Sequence, residues 1–396
     1  MQATKGFWLV LCLTFSQPLF ALTLQDRVAA AWDTANSEPP HDANVCSASV
    51  ENPLRNPGFY WEIGDVNGPF VGASGTVGPN ALGWPKRSVP DMHIASASKW
   101  LYAAYFAERY GATSLTGRDF QFLTLSSGYH SLQSRPDTQC DSSQGVNFTV
   151  DDCVDLCSTN GTCNADFTLE DAGLFYYDSA HYETRASSLN MVDNPLTALH
   201  RPALGAYTAT GTNPLWQELQ PYIDAGPQWM DFSRPVLAEG IVTTPGAYID
   251  HFLRKVLSNS LQMSLLLGSG AVCTNTNLDA NNVRICPTAV FEPAALRDSG
   301  ESWHYSVGHW VEDDPGVGDG AFSSGGARGF YPWIRKARPG DNYGGWTTPI
   351  YGIVARDDPG SGSDPNSLDT PDAAIGWPSV LCGRAIRKAF LTGVAQ

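Results

Sequence analysis

The chain has 396 residues, 42% hydrophobic and 16% charged, enough to bury a large core in one domain or two interleaved ones, which excludes a disordered or fibrous protein. With 24 Lys and Arg against 40 Asp and Glu, the formal net charge is −16, a balance that repels nucleic acid and anionic lipid. Its 38 glycines, 27 prolines and 11% aromatic residues occur without a repeat period, so a solenoid or propeller is excluded and a loop-rich globular enzyme or binding protein remains.

Residues 1–21 carry one cation, Lys5, then the apolar run Phe7 to Phe15, then a short stretch ending at Ala21. This layout predicts a secretory signal peptide, too short to span a bilayer, and hence a secreted or periplasmic mature chain with no integral membrane segment. A short helix is expected around Leu24 to Ala35, and Gly58 to Thr76 holds two β-rich runs separated by Asp65, Asn67 and Gly68, which predicts a hairpin. From Ser96 a run of good helix formers extends to Gly111; Trp100 to Ala107 are apolar on every face, so that helix should be buried.

Residues 131–169 are polar, contain half the cysteines of the mature chain and carry sequons at Asn147 and Asn160; they read as a disulfide-stapled surface insertion. Helical periodicity returns at Ala247 to Leu267. From Trp303 onward, short β-like runs (WHYSVGHWV, GFYPWI, TPIYGIVAR) precede a polar Asp-rich loop, Asp357 to Asp372, and an amphipathic segment, Val380 to Leu391. Strands at both ends with a helical middle predict one antiparallel sheet lobe built from 22–95 and 290–396, and a mainly helical lobe from 96–289 that includes the insertion.

Cys12 leaves with the signal, and the remaining eight cysteines read as four disulfides in an exported chain. Loop proximity favours Cys273 with Cys286, leaves Cys140, Cys153, Cys157 and Cys163 to pair among themselves, and puts Cys46 with Cys382. A zinc site at the C-x3-C spacing of Cys153 and Cys157 is the weaker alternative, since no second pair or H-x3-H follows. No metal or other cofactor is expected. His304 and His309 lack an H-E-x-x-H context and are expected to alternate to opposite faces of one strand; His93 is expected to be structural or to lie at the rim of a site.

The sharpest chemical signal is Ser96-Ala97-Ser98-Lys99. Three apart on a helix, Ser96 and Lys99 share a face. Burial disfavours a charged ammonium, which suits the amine to accept the serine proton, and the positive end of the helix dipole favours charge developing on the serine. No G-x-S-x-G elbow is present for a Ser-His-Asp hydrolase.

Six elements in order resemble those of the serine β-lactamase, penicillin-binding protein and class C-like esterase superfamily. They are the S-x-x-K at Ser96, Leu123 to Gly128 (LTLSSG), Phe175 to Ser179 (FYYDS), Ala238 to Thr244 (AEGIVTT), Trp303 to Gly308 (WHYSVG) and Ser323 to Phe330 (SSGGARGF). Together they span about residues 90 to 355. The resemblance implies an α/β (α+β), β-lactamase/DD-peptidase-like fold: an antiparallel sheet flanked by helices plus an inserted, mainly helical lobe. It implies acyl transfer to Ser96 from a small or short oligomeric ester or amide, with Lys99 and Tyr177 as proton carriers. The N–H groups of Ser96 and Gly326 would form the oxyanion hole, and Ser179, Ser323, Ser324, Gly325 and Arg328 would bind substrate. Family members that recognise a substrate carboxylate usually have Lys or His where this chain has Ser323, so β-lactam hydrolysis is not the expected activity. The alternative is a binder that captures an acyl ligand and deacylates slowly or not at all.

Overall fold

A computed structural model describes residues 22–36, 46, 58–77, 87–88, 92–129, 150–155, 167–188, 214–224, 226, 229–232, 236–337, 345–356 and 373–396. The expected signal peptide, most of the 131–169 insertion and the 357–372 loop lie outside the described residues, as does the pairing of Cys140, Cys153, Cys157 and Cys163.

The helices are α1 (Leu24–Asn36), α2 (Ser98–Tyr110), α3 (Gly117–Leu123), α4 (Val150–Asp155), α5 (Ala180–Ser188), α6 (Pro214–Ile223), α7 (Pro245–Tyr248), α8 (Arg254–Leu257), α9 (Met263–Leu266), α10 (Ala294–Ser299) and α11 (Ala373–Thr392). Before Gly68 the chain forms β1 (Phe59–Asp65), which turns into β2 (Gly68–Val77); β3 is Met92–His93, β4 Phe175–Tyr176, β5 Met230–Phe232, β6 Ile241–Thr243 and β7 Val272–Cys273. The last strands are β8 (Ala289–Phe291), β9 (His304–Tyr305), β10 (Trp310–Glu312), β11 (Ala321–Ser323), β12 (Phe330–Arg335) and β13 (Ile350–Ala355).

Eight of these strands form one antiparallel sheet in the order β2-β1-β13-β12-β11-β10-β9-β7, so the chain is a mixed α/β protein. The expected hairpin is β1–β2, and strands from the two ends meet where β1 pairs with β13. β12 and β13 read FYPWIR and IYGIVA, almost unbroken apolar runs, and every residue in them is buried. Such runs suit a strand covered on both faces: α1 and α11 pack on one another and on the sheet, while the segment 249–257 and the turn at 95–97 also pack against β12 and β13. Two short sheets, β3-β6-β5 and the parallel pair β4-β8, lie beside α2 and α5 and carry the segments on either side of the candidate site.

Three differences from the sequence reading have local causes. The edge strand β7 falls within the stretch expected to be helical: Cys273 is bonded to Cys286, and the Thr274 N–H donates to the Trp303 carbonyl at 3.2 Å, which draws this segment onto β9. The periodic stretch 247–267 is not one helix, because a π turn spans Ile249–Leu253 and Asn259, at φ 59°, ends the run before α9. His304 and His309 are not on one strand, since Gly308, at φ 73°, turns the chain between β9 and β10. His304 pairs with Asp313, whereas His309 is buried between the Val307 carbonyl and the Gly268 N–H. Among the described residues no group of three potential ligands could hold a metal ion, and no helix is long and apolar enough to cross a membrane.

Cys46 is bonded to Cys382 on α11, with their Cα atoms 4.5 Å apart. Deeper on α11, the buried Arg387 guanidinium holds Glu312 on β10 at 2.6 Å, Asp319 at 2.6 Å and the Tyr331 hydroxyl at 2.8 Å. Removing one partner of a buried ion pair leaves the other charge uncompensated. Arg387→Met is therefore expected to destabilise the protein by about 3–5 kcal/mol at neutral pH in urea denaturation, and a loss below ~1 kcal/mol would place α11's anchorage elsewhere. Burial raises the Asp319 carboxyl, but Arg387 outweighs it and leaves the group below its ordinary range. A depressed carboxylate stabilises the fold above its unfolded pKa and loses that contribution as the pH falls through its folded one. The gap between wild type and variant should accordingly narrow in acid.

Candidate active site

Ser96 sits in a single 3-10 turn, Ala95–Ala97, that leads directly into α2. It is buried but not sealed, at 8% exposure, whereas Lys99 in the first turn of α2 is at 0%. The Lys99 Nζ lies 3.1 Å from the Ser96 Oγ and 3.3 Å from the Ala238 carbonyl oxygen. Residues 100–107 of α2 are all buried, as their apolar character on every face requires. The chain enters this turn through Ala95 at φ 45°, a left-handed conformation that costs a residue with a Cβ about 1–2 kcal/mol. Nothing in the sequence signals this strain, since glycine rather than alanine is the residue that adopts such a φ freely.

The wall opposite is assembled from three of the other elements. Leu125, at φ 57°, and Gly128, at φ 84°, kink the LTLSSG turn after α3. Its Leu125 carbonyl accepts from the Tyr176 N–H at 2.9 Å, and its Leu123 carbonyl accepts from the Gly308 N–H at 3.0 Å and the Tyr182 hydroxyl at 2.9 Å. The His181 Nε2 faces the Tyr176 carbonyl at 2.9 Å, which can only accept, so Nδ1 is left to accept from the Ser127 hydroxyl at 2.7 Å. The turn thus holds the segment that presents Tyr177, whose N–H donates to the Phe291 carbonyl at 3.0 Å. The Tyr177 ring stacks on Trp310, centroids 5.3 Å apart, and the Lys99 Nζ lies 5.0 Å from the Tyr177 ring centroid. Tyr176 points elsewhere and stacks on Phe291. Ser96 and Lys99, from one turn, and Tyr177, from a distant stretch of sequence, therefore meet at the Lys99 amine.

The glycines of the other two elements let main chain come close to α2. A Cβ on Gly308 would lie 2.6 Å from the Lys99 carbonyl oxygen and 2.5 Å from the Ala103 Cβ, while one on Gly326 would lie 2.1 Å from the Ile94 carbonyl oxygen. The chain just after β11 consequently runs directly against the serine turn, and the Ser324 hydroxyl donates to the Ser96 carbonyl at 3.2 Å. Ser324, expected on the substrate side, is buried and braces the serine turn instead.

The Gly326 N–H, expected in the oxyanion hole, has an acceptor on β12. The Gly326 N–H donates to the Phe330 carbonyl at 2.8 Å, just as the Ser324 N–H donates to Pro332 at 3.2 Å. Both face β12. Between two such donors, the N–H of the intervening residue in an extended segment faces the other edge. The Ser96 N–H belongs to the first turn of a helix, where N–H groups have no intrahelical acceptor.

Of the remaining expected residues, Ser179 is fully buried immediately before α5, with its carbonyl accepting from the Tyr182 N–H at 3.0 Å. Arg328 is half-buried in the turn between Gly326 and Gly329. His93 is half-buried on β3, in register with Val242. The Ser323 hydroxyl is fully buried, has no hydrogen-bond partner, and lines a cavity of about 130 Å³ with Leu296, Trp303, Trp310, Trp377 and Gly325. Sequence reasoning missed Glu183, a fully buried carboxylate on α5 near Lys99. Its place between Ala180 and Ala186, on one helical stripe, was the available signal.

Gly326→Ala tests the closeness of the segment after β11 to the serine turn, because the clash is with backbone that cannot rotate away. A displacement of about 1 Å at a reacting group can cost about a hundredfold in rate, and a loss of that order is expected in the rate at which a fluorophosphonate labels Ser96. A wild-type labelling rate would show that the two segments are not tightly juxtaposed.

No protein-family model and no curated protein matches the sequence. Among solved structures, the chain is similar to unliganded simvastatin synthase (LovD) from Aspergillus terreus, at 12% identity over 86% of this chain and 98% of that one, with a TM-score of 0.44. It is similar to D-amino acid amidase from Ochrobactrum anthropi SV3 complexed with D-phenylalanine, at 12% identity over 91% and 98%, with a TM-score of 0.46. A third is EstCE1, a hydrolase with promiscuous acyltransferase activity, at 13% identity over 89% and 100%, with a TM-score of 0.41.

Proposed function

We propose that the chain is an exported serine hydrolase of the β-lactamase-related kind, acting on small ester or amide bonds through an acyl-enzyme at Ser96. The observation that carries this reading is the 3.1 Å approach of the Lys99 Nζ to the Ser96 Oγ in a turn that is almost dry, with the Tyr177 ring beside the amine. In the proposed reaction Lys99 takes the serine proton as Ser96 Oγ attacks the carbonyl, and Tyr177 passes a proton to the leaving group and later assists the attacking water. The N–H groups of Ser96 and Gly325 hold the tetrahedral oxygen, an assignment supported by the edge to which Gly325 is turned. Ser324 holds the serine turn against β11.

The acyl group is proposed to be uncharged. The cavity beside Gly325 is walled by tryptophan and aliphatic side chains, and its unpartnered Ser323 hydroxyl supplies one hydrogen bond and no charge. Burying a carboxylate there without a cation is costly. Its volume of about 130 Å³ is comparable to the roughly 150 Å³ apolar cavity that holds benzene, so a phenyl or short branched aliphatic group fits. The two disulfide pairs, Cys46–Cys382 at α11 and Cys273–Cys286 at the β7 edge, support an oxidising compartment.

Three measurements test the reading. A fluorophosphonate should give one covalent adduct by intact mass, lost in Ser96→Ala; an adduct that survives in the variant removes Ser96 from its role. Turnover of p-nitrophenyl esters should continue beyond one equivalent per protein, whereas a single burst would identify an acyl-ligand binder. Across an ester panel, phenylacetyl and isobutyryl groups should be cleaved faster than acyl groups ending in a carboxylate, and the reverse order would put a cation in the pocket.

A further inference from the structure

We propose that Glu183 is a positioning residue for Lys99, acting through the peptide groups at 237–239; the inference rests on the hydrolase reading above. Each carboxylate oxygen of Glu183 accepts one backbone N–H of the same turn: Oε2 from Leu237 and Oε1 from Ala238, both at 3.0 Å. The carbonyl of Ala238 in turn accepts from the Lys99 Nζ at 3.3 Å. The turn is pinned on its other side by the Ile241 N–H donating to the Ser98 hydroxyl at 3.2 Å and by the Ile94 N–H donating to the Ile241 carbonyl at 3.1 Å. Glu183 therefore sets where one of the two oxygens that orient the Lys99 amine can lie, the other being the Ser96 Oγ.

A fully buried acid with two donors aimed at it is a costly feature to keep for packing alone, since an alanine or leucine would fill an apolar stripe of α5 without it. Burial pushes the carboxyl up to about 8, against the opposing effect of the two N–H groups. The charged and titratable groups facing it are Lys99 and Tyr102 from α2, Glu239 from the turn, and Tyr182 on its own helix. Lys99 favours its ionised form and Glu239 opposes it.

Glu183→Gln and Glu183→Asp test this role. Glutamine offers one acceptor and turns an NH2 group toward the second N–H, leaving a buried donor unpaired. Aspartate keeps the charge but withdraws both acceptors by about 1.5 Å, the length of one C–C bond. Rates are measured as kcat and KM on a p-nitrophenyl ester, counted per site labelled by a fluorophosphonate, alongside thermal melts. Glu183→Gln is expected to lose about tenfold or more in kcat with KM little changed. Glu183→Asp should show the same split, a loss in kcat with KM little changed, and it decides the matter if the glutamine variant does not fold. Wild-type kcat per labelled site in the variants, with only the melting temperature lowered, would overturn the proposal and leave the hydrolase reading intact. A wild type that neither labels at Ser96 nor turns over would overturn both.

Discussion

The structure depends on the contact between the segment that follows β11 and the turn that carries Ser96. Gly326 lies against the Ile94 carbonyl so closely that a single methyl group would not fit, and Ser324 adds a hydrogen bond to Ser96 itself. Gly308 makes a second approach of the same kind at the Lys99 carbonyl. The β9–β10 and β11–β12 connections of the large sheet are thus keyed to the main chain around the start of α2. The serine and the lysine are placed relative to the sheet by main chain, which has far less freedom than side chains to move. The strained Ala95 is tolerated because contacts on both sides determine the turn.

Around this contact the polar groups form a graded series. Lys99 has the serine hydroxyl and a carbonyl for partners, Tyr177 supplies a ring at 5.0 Å, and Glu183 stands behind the carbonyl. Aromatic side chains fill the space between: Phe175, Tyr305 and Trp310 pack on the Tyr177 ring at centroid distances of 6.4, 5.9 and 5.3 Å. Exclusion of water from such a cluster strengthens each of these electrostatic interactions. The same aromatic wall continues through Trp310 into the cavity beside Ser323.

Much of this arrangement could be read from residue types and their order. The β1–β2 hairpin follows from Asp65-Val66-Asn67-Gly68 between β-rich runs, α2 from its all-round apolar character, and the meeting of both chain ends in one sheet from strands at each end of the sequence. What eluded sequence reasoning are the features set by tertiary register. Spacing placed the oxyanion donor at Gly326, but which edge of a strand an N–H faces depends on its pairing, and the pairing with β12 turns Gly326 inward. Ser324 was assigned by position to substrate, yet its hydroxyl had a closer acceptor in the Ser96 carbonyl. The 247–267 periodicity was real at the level of buried faces, but it does not reveal a π turn or a left-handed asparagine. Glu183 was passed over because an acidic residue on a helix is ordinarily solvated, and only the fold shows it enclosed.

The bond between Cys46 and Cys382 joins positions 336 residues apart, and the Gln396 N–H also donates to the Thr34 hydroxyl at 3.0 Å. α1 and α11 are therefore tied to segments far away in sequence, and everything that forms the proposed site lies inside the covalent ring that Cys46–Cys382 makes. A protease that cuts once anywhere within that ring yields two fragments that remain a single molecule, with the sheet still closed by its β1–β13 seam. A chain built in this way can be nicked without being dismantled.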